Sequence, residues 1–149
     1  MKKGLLFTLA GLALTYASCG NRNGLYPVSG HVTYQREPAV GATVFLRRTG
    51  GDPLNEPMIM GLVQEDGAFT LVCGSLGNGA PPGQYDVLIE WKRSSNQTRG
   101  LTQRVPDKLK GRYADPVHPR LHAVIKAENN CLPPFELMDE DHAPDTTGP

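Results

Sequence analysis

The chain has 149 residues, a length that suits one domain. Its 15 basic and 15 acidic side chains cancel, so no overall field draws it toward nucleic acid. Its 17 glycines and 13 prolines make it loop-rich without reaching a low-complexity composition, and the short alternating apolar runs exclude a long-helix bundle and point to an all-β fold.

Lys2-Lys3 opens the chain, followed by an uncharged apolar run of 11 residues, Gly4 to Leu14. That run is too short for a bilayer core, which needs about 17–25 residues, and has the length of a signal-peptide h-region. Ala17-Ser18-Cys19 resembles the bacterial lipobox, with Tyr16 where Leu is usual. The resemblance implies acylation of Cys19 and cleavage before it, which makes residues 1–18 a lipoprotein signal peptide. A plain secretory cut near Ser18, or a retained anchor, is the alternative; each exports the domain. Cleavage before Cys19 leaves 13 basic against 15 acidic side chains. Gly20 in place of an Asp favours the outer membrane, and residues 19–26 read as a flexible tether.

The domain is expected over residues 27–138. Val28 to Tyr34 alternates, with Val28, Gly30, Val32 and Tyr34 on one face. A turn is expected at Arg36-Glu37-Pro38. Gly41 to Arg47 is the second strand, burying Ala42, Val44 and Leu46, and residues 49–57 form an exposed loop rich in turn formers. Met58 to Gln64 is the third strand. Asp66-Gly67 marks a hairpin into Ala68 to Val72, with Phe69 and Leu71 inward. After the 77–83 loop, Gln84 to Trp91 places Tyr85, Val87, Ile89 and Trp91 on one face and Asp86 and Glu90 on the other. Alternation lapses from Lys92 to Pro119, a connection long enough to be functional or pinned by its own side chains. Leu121 to Lys126 resumes as a strand. Cys131 to Leu137 closes the domain, confined to an edge or a bulge by Pro133-Pro134. Residues 139–149 read as a disordered acidic tail.

With Cys19 set aside for lipid, Cys73 and Cys131 form a candidate disulfide in an oxidising compartment. They lie 58 positions apart, and closing that loop would contribute about 4 kcal/mol in the chain-entropy model. The alternative is two unpaired thiols in the core.

Seven short strands separated by turn signals indicate a β-sandwich. Val28-Ser29-Gly30-His31-Val32, Pro38 to Val44, Asp66-Gly67-Ala68-Phe69 and Pro82-Gly83-Gln84-Tyr85-Asp86-Val87 together resemble the carboxypeptidase-regulatory-like, or transthyretin-like, family. The resemblance covers about Val28 to Leu137 and implies a seven-stranded Greek-key sandwich, also Ig-like in outline, with a noncatalytic accessory role. Pro106 to Pro116 is similar to a loop of lipoprotein members that carries a Pro-x-Lys-Tyr pattern. Leu109 stands where that Tyr would be, and Tyr113 is expected to take over its packing.

No acid, base and nucleophile set converges in the sequence, so no catalytic residue is assigned, and no cofactor. A hydrolase of the resembled fold uses histidines, an arginine and a C-terminal Tyr-Arg-Gly-Ser. Phe135-Glu136-Leu137-Met138 stands at that place here, and His31 reads as an outward strand residue. The serines lie in no nucleophile elbow. His118 and His122 are four apart, but on a loop entering a strand that spacing makes no zinc face. Asp139-Glu140-Asp141-His142 lacks the glycine and alternating donors of a calcium loop. No metal site is assigned.

The stretch from Lys92 to Arg112 carries seven basic residues against Asp107 alone. Such a loop can meet lipid headgroups, an acidic polysaccharide or an envelope protein, or simply keep the surface soluble. The expected function is a membrane-tethered interaction module whose contact loop includes Lys108, Lys110, Arg112 and Tyr113, with no nucleic-acid partner. The alternative is a carbohydrate-binding accessory domain, which needs Trp91 or Tyr113 as an exposed platform.

Overall fold

The computed structural model describes residues 23–52, 54–92 and 106–139. The expected signal peptide, residues 19–22 of the tether including Cys19, the basic residues Arg93, Arg99 and Arg104, and the tail beyond Asp139 lie outside the described residues. Among those described, every regular element is a strand, and no helix is long and apolar enough to cross a membrane. The strands form two open sheets around one apolar cluster, an all-β, sandwich-like arrangement.

The first sheet is organised on β1 (Val28–Tyr34), whose burial alternates as its sequence does. A two-residue turn at Gln35-Arg36, both at positive φ, folds β2 (Glu37–Pro38) back onto Thr33 and Tyr34. The turn therefore falls one residue earlier than expected, because Glu37-Pro38 pairs as strand. Antiparallel β5 (Ala68–Thr70) covers the first half of β1 on the same flank. On the other flank β10 (Asn130–Cys131) and β11 (Phe135–Leu137) run parallel to β1. Ser29 pairs with Cys131 and Val32 with Phe135, so the C-terminal run holds one extra residue between them. That bulge contains Pro133-Pro134, which are spared from donating to the ladder, as expected of them.

The second sheet has the order β7 (Gly77–Asn78), β6 (Val72–Cys73), β4 (Ile59–Leu62), β3 (Thr43–Arg48), β8 (Gly83–Glu90), β9 (Leu121–Ile125), all antiparallel. Residues 68–73 cross from one sheet to the other: β5 pairs with β1, β6 pairs with β4, and the fully buried Leu71 is the corner. A side chain at Gly61 on β4 would run into the Thr70 carbonyl, so only glycine lets the crossing strand pass this close.

The inward residues expected on the second and hairpin strands, Ala42, Val44, Leu46, Phe69 and Leu71, are all buried, and so is the face that Tyr85, Val87, Ile89 and Trp91 share. Each large apolar side chain taken from water stabilises the fold by about 1.5–3 kcal/mol. Asp86 departs from expectation. It lies off the core face, yet is 5% exposed, because Thr49 Oγ1 (2.9 Å) and His122 Nδ1 (3.1 Å) close over its carboxylate.

The expected Cys73–Cys131 bridge is not formed. Cys73 points into the core from the second sheet, Cys131 faces solvent from the first, and both are free thiols. Burial pushes the Cys73 thiol up from its ordinary pKa.

The two ends of β1 define the poles of the domain. The chain enters at one end, where Asn23 Nδ2 donates to the Leu76 carbonyl and Tyr26 bridges Ala80. Six residues on from Val28, about 20 Å along the extended strand, Tyr34 meets Trp91 edge to face with ring centroids 5.5 Å apart.

Candidate functional site

The far pole is built by the turns between Pro106 and Arg120, and Asp107 holds them together. Its Oδ1 accepts from the backbone N–H of Trp91 (2.8 Å) and of Leu109 (3.3 Å), and its Oδ2 from that of Gly111 (2.8 Å). The Lys108 N–H donates to the Trp91 carbonyl, which ties the turn to the end of β8. Lys110 and Gly111 both have positive φ (53° and 77°), turning the chain back so that Leu109 and Tyr113 plug the core. The Tyr113 carbonyl accepts from Ile89, and its hydroxyl receives the Met138 N–H at 3.1 Å. From Pro106 onward the connection is pinned by its own side chains, and Leu109 itself packs inward where the resembled pattern has Tyr.

This pinning leaves the polar residues of the turns around a cleft of about 680 Å³, lined by Tyr34, Lys108, Lys110, Arg112, His118 and Arg120 among others. Two carboxylates share the lining, and both are already engaged. Asp139 accepts from Tyr34 Oη (2.6 Å) and Gln35 Nε2 (3.2 Å). Asp115 accepts from the Val117 N–H (2.8 Å) and lies 3.0 Å from His118 Nδ1. Among the described residues, none of Lys108, Lys110, Arg112 and Arg120 forms an ion pair. Arg112 Nε and Nη1 are shut from solvent without an acceptor there. Lys108 Nζ lies 3.8 Å from the Trp91 ring centroid, a cation–π contact. Among the described residues, four permanent cations therefore share one concavity with two carboxylates that are bonded elsewhere.

The environment also shifts two titrations. The hydrogen bond to Asp139 is the chief reason the Tyr34 hydroxyl is held above its ordinary pKa, since ionising it would place an anion beside that carboxylate. The Asp115 carboxyl is held below its ordinary value, first by the Val117 N–H and then by His118.

Three of the four expected contact residues, Lys108, Lys110 and Arg112, line the cleft. Tyr113 does not: at 9% exposure it is a core anchor beneath it. His118 falls within the Lys92 to Pro119 connection expected to make contacts, whereas Tyr34, Arg120 and Asp139 lie outside it, because β1, the approach to β9 and the segment after β11 deliver them from other parts of the chain. The spacing of Arg120 gave no signal of this.

The sugar platform is corrected as well. Trp91 is only 9% exposed, its Nε1–H donates to the Val40 carbonyl (2.8 Å), Tyr34 meets its edge and Lys108 covers a face. With Tyr113 also buried, neither ring can stack on a pyranose. His31 is exposed on β1, His118 belongs to the Asp115 turn and His122 lies on β9 with Asp86. No group of three metal-ligating side chains gathers among the described residues. A scan against protein-family models gives no match for this chain, and searches of curated proteins and of solved structures give none either.

Proposed function

We infer that the chain is an exported, lipid-anchored and noncatalytic interaction module that presents its basic cleft to an anionic partner at the cell envelope. The observation that carries this reading is the group of four cations, Lys108, Lys110, Arg112 and Arg120, without ion-pair partners among the described residues around one open cleft. Such a concavity concentrates anions by its field. Acyl chains on Cys19 would supply the tether, each buried CH₂ contributing about 0.8 kcal/mol, with the outer membrane as the favoured site.

For the domain itself the reading is the seven-stranded Greek-key sandwich of the carboxypeptidase-regulatory-like family. In its favour, β5 with β6 and β10 with β11 are each one interrupted run, and β2 and β7 are two-residue hairpin returns, which leaves seven principal strands.

Intact mass of the membrane-extracted protein beside a Cys19→Ala form tests the anchor. The expected result is a diacylglyceryl mass on Cys19 that the variant lacks. In the same sample iodoacetamide should add one group, at the exposed Cys131, and reach Cys73 only after unfolding. An unmodified Cys19 would overturn the lipoprotein reading. Reductant-dependent labelling of Cys131 would overturn the free-thiol assignment.

A further inference from the structure

The proposed function leaves the partner's chemistry open, and the position and lining of the cleft narrow it. Three observations bear on this. First, the cleft is at the pole opposite the chain entry: Tyr34 lines it, while the tether joins at the Asn23–Leu76 and Tyr26–Ala80 contacts a strand length away. A domain anchored through Cys19 thus carries its cations at the end remote from its attachment. Second, the lining is mainly polar. Its apolar contributions are Leu109, which is buried, Met138 and the Tyr34 ring, whose hydroxyl is taken by Asp139, so it offers no continuous apolar core of the kind a stable protein–protein interface buries. Third, the cations come from two segments of the chain. Lys108, Lys110 and Arg112 come from the Asp107 turns, and Arg120 from the lead-in to β9, so neutralising them takes several negative groups along one ligand.

We propose that the cleft binds an acidic polysaccharide, reading its carboxylates by charge and hydrogen bonding instead of stacking its rings. The volume of about 680 Å³ lies in the range of small-ligand sites and admits a few sugar units of a longer chain. Arg112 is the half-buried member of the lining, and its Nε and Nη1 lack an acceptor among the described residues, while Lys108 is exposed beside Trp91. Lys110 and Arg120 are exposed at the surface, where long-range attraction acts first. This proposal rests on the anchored-domain reading, because the anchor's position is what disfavours the membrane as ligand.

The sole tryptophan of the chain supplies the readout. Lys108 sits over Trp91, so a carboxylate that engages Lys108 alters the emission of that indole. The detergent-extracted full chain is titrated with polygalacturonate, neutral dextran, polyglutamate and phosphatidylglycerol vesicles, following Trp91 fluorescence with calorimetry alongside. The expected result is saturable polygalacturonate binding with a change in emission, weakened at least tenfold by raising salt from 50 to about 300 mM, since exposed charges are screened beyond the Debye length. The double variant Lys110→Gln/Arg120→Gln, which removes two exposed charges and no core contact, should bind at least tenfold more weakly with unchanged circular dichroism. Equal binding by that variant, equal binding of dextran, or heat of binding without a tryptophan response would overturn the site. Preference for polyglutamate, or a Trp91 response to phosphatidylglycerol vesicles that the double variant loses, would overturn the ligand class. The anchor and the cleft fail separately: lipidated protein indifferent to polygalacturonate sinks this proposal alone, and an unmodified Cys19 sinks the anchor whatever the titration reads.

Discussion

Asp107 is the residue on which the cleft depends most, although it carries the wrong sign for it. A carboxylate accepting three backbone N–H groups fixes the direction of every residue from Leu109 to Tyr113, and charge-assisted bonds of this kind are the strong ones. Asp107→Ala should therefore lower stability by about 2–4 kcal/mol, read from the urea midpoint. Asp107→Asn should cost less, because its remaining carbonyl oxygen can still serve Trp91 and Leu109. If the alanine variant melts like the parent, the turns are held by Leu109 and Tyr113 alone. In the sequence Asp107 looked like the one acidic exception in a basic stretch. Its role could not be read there, because two of its three partners follow it by two and four positions while Trp91 precedes it by sixteen.

Among the elements, β1 and β5 explain two of the motifs that carry the family resemblance. Gly30 lies directly opposite Phe69, and a Cβ at Gly30 would come within 2.7 Å of the Phe69 ring. The ring crosses the strand where the glycine leaves room, and it stacks with Phe135 of β11 at 6.3 Å and 16°. The Gly-x-Val and Gly-x-Phe motifs are thus one packing unit that also touches the C-terminal strand. Gly30→Ala should cost about 1–3 kcal/mol by overpacking. Combined with Phe69→Leu, the loss should fall short of the sum of the two single losses, since the smaller side chain removes the clash. Strict additivity in denaturation would mean that glycine matters here for its backbone alone. Strand existence and inward face were legible for this unit; that Gly30 and Phe69 meet was not, because 39 residues of chain separate them.

At the scale of the whole molecule, the C-terminal segment closes over the far pole through Tyr34 and Asp139, and pH tests that closure. The folded pKa of Tyr34 is raised above 10.0, so its contribution to stability is complete below pH 10 and is lost as pH rises through the folded value. Asp139→Asn should bring the Tyr34 phenolate titration, followed by ultraviolet absorbance, back toward 10. Asp115 behaves in the opposite sense. Its folded pKa is depressed below 3.8, so its contribution is present above that value and is lost as pH falls through the folded one. His118→Ala should remove only part of that depression, as the Val117 N–H is its larger cause. A Tyr34 titration indifferent to residue 139 would mean that the segment after β11 is not seated on β1.

Periodicity along the chain determined the all-β class, the inward faces of the main strands and the confinement of Pro133-Pro134 to a bulge, because these depend on neighbours one to four residues apart. It also marked Lys108, Lys110 and Arg112 as a basic group. Tertiary structure alone decided that Cys73 and Cys131 belong to different sheets, that Trp91 and Tyr113 are core residues, and that Tyr34, Arg120 and Asp139 complete the cleft. Those outcomes depend on which strands pair across tens of residues and on which face a turn closes against. Local alternation carries no record of either, since a strand's period shows that it has a buried side and not what lies against it.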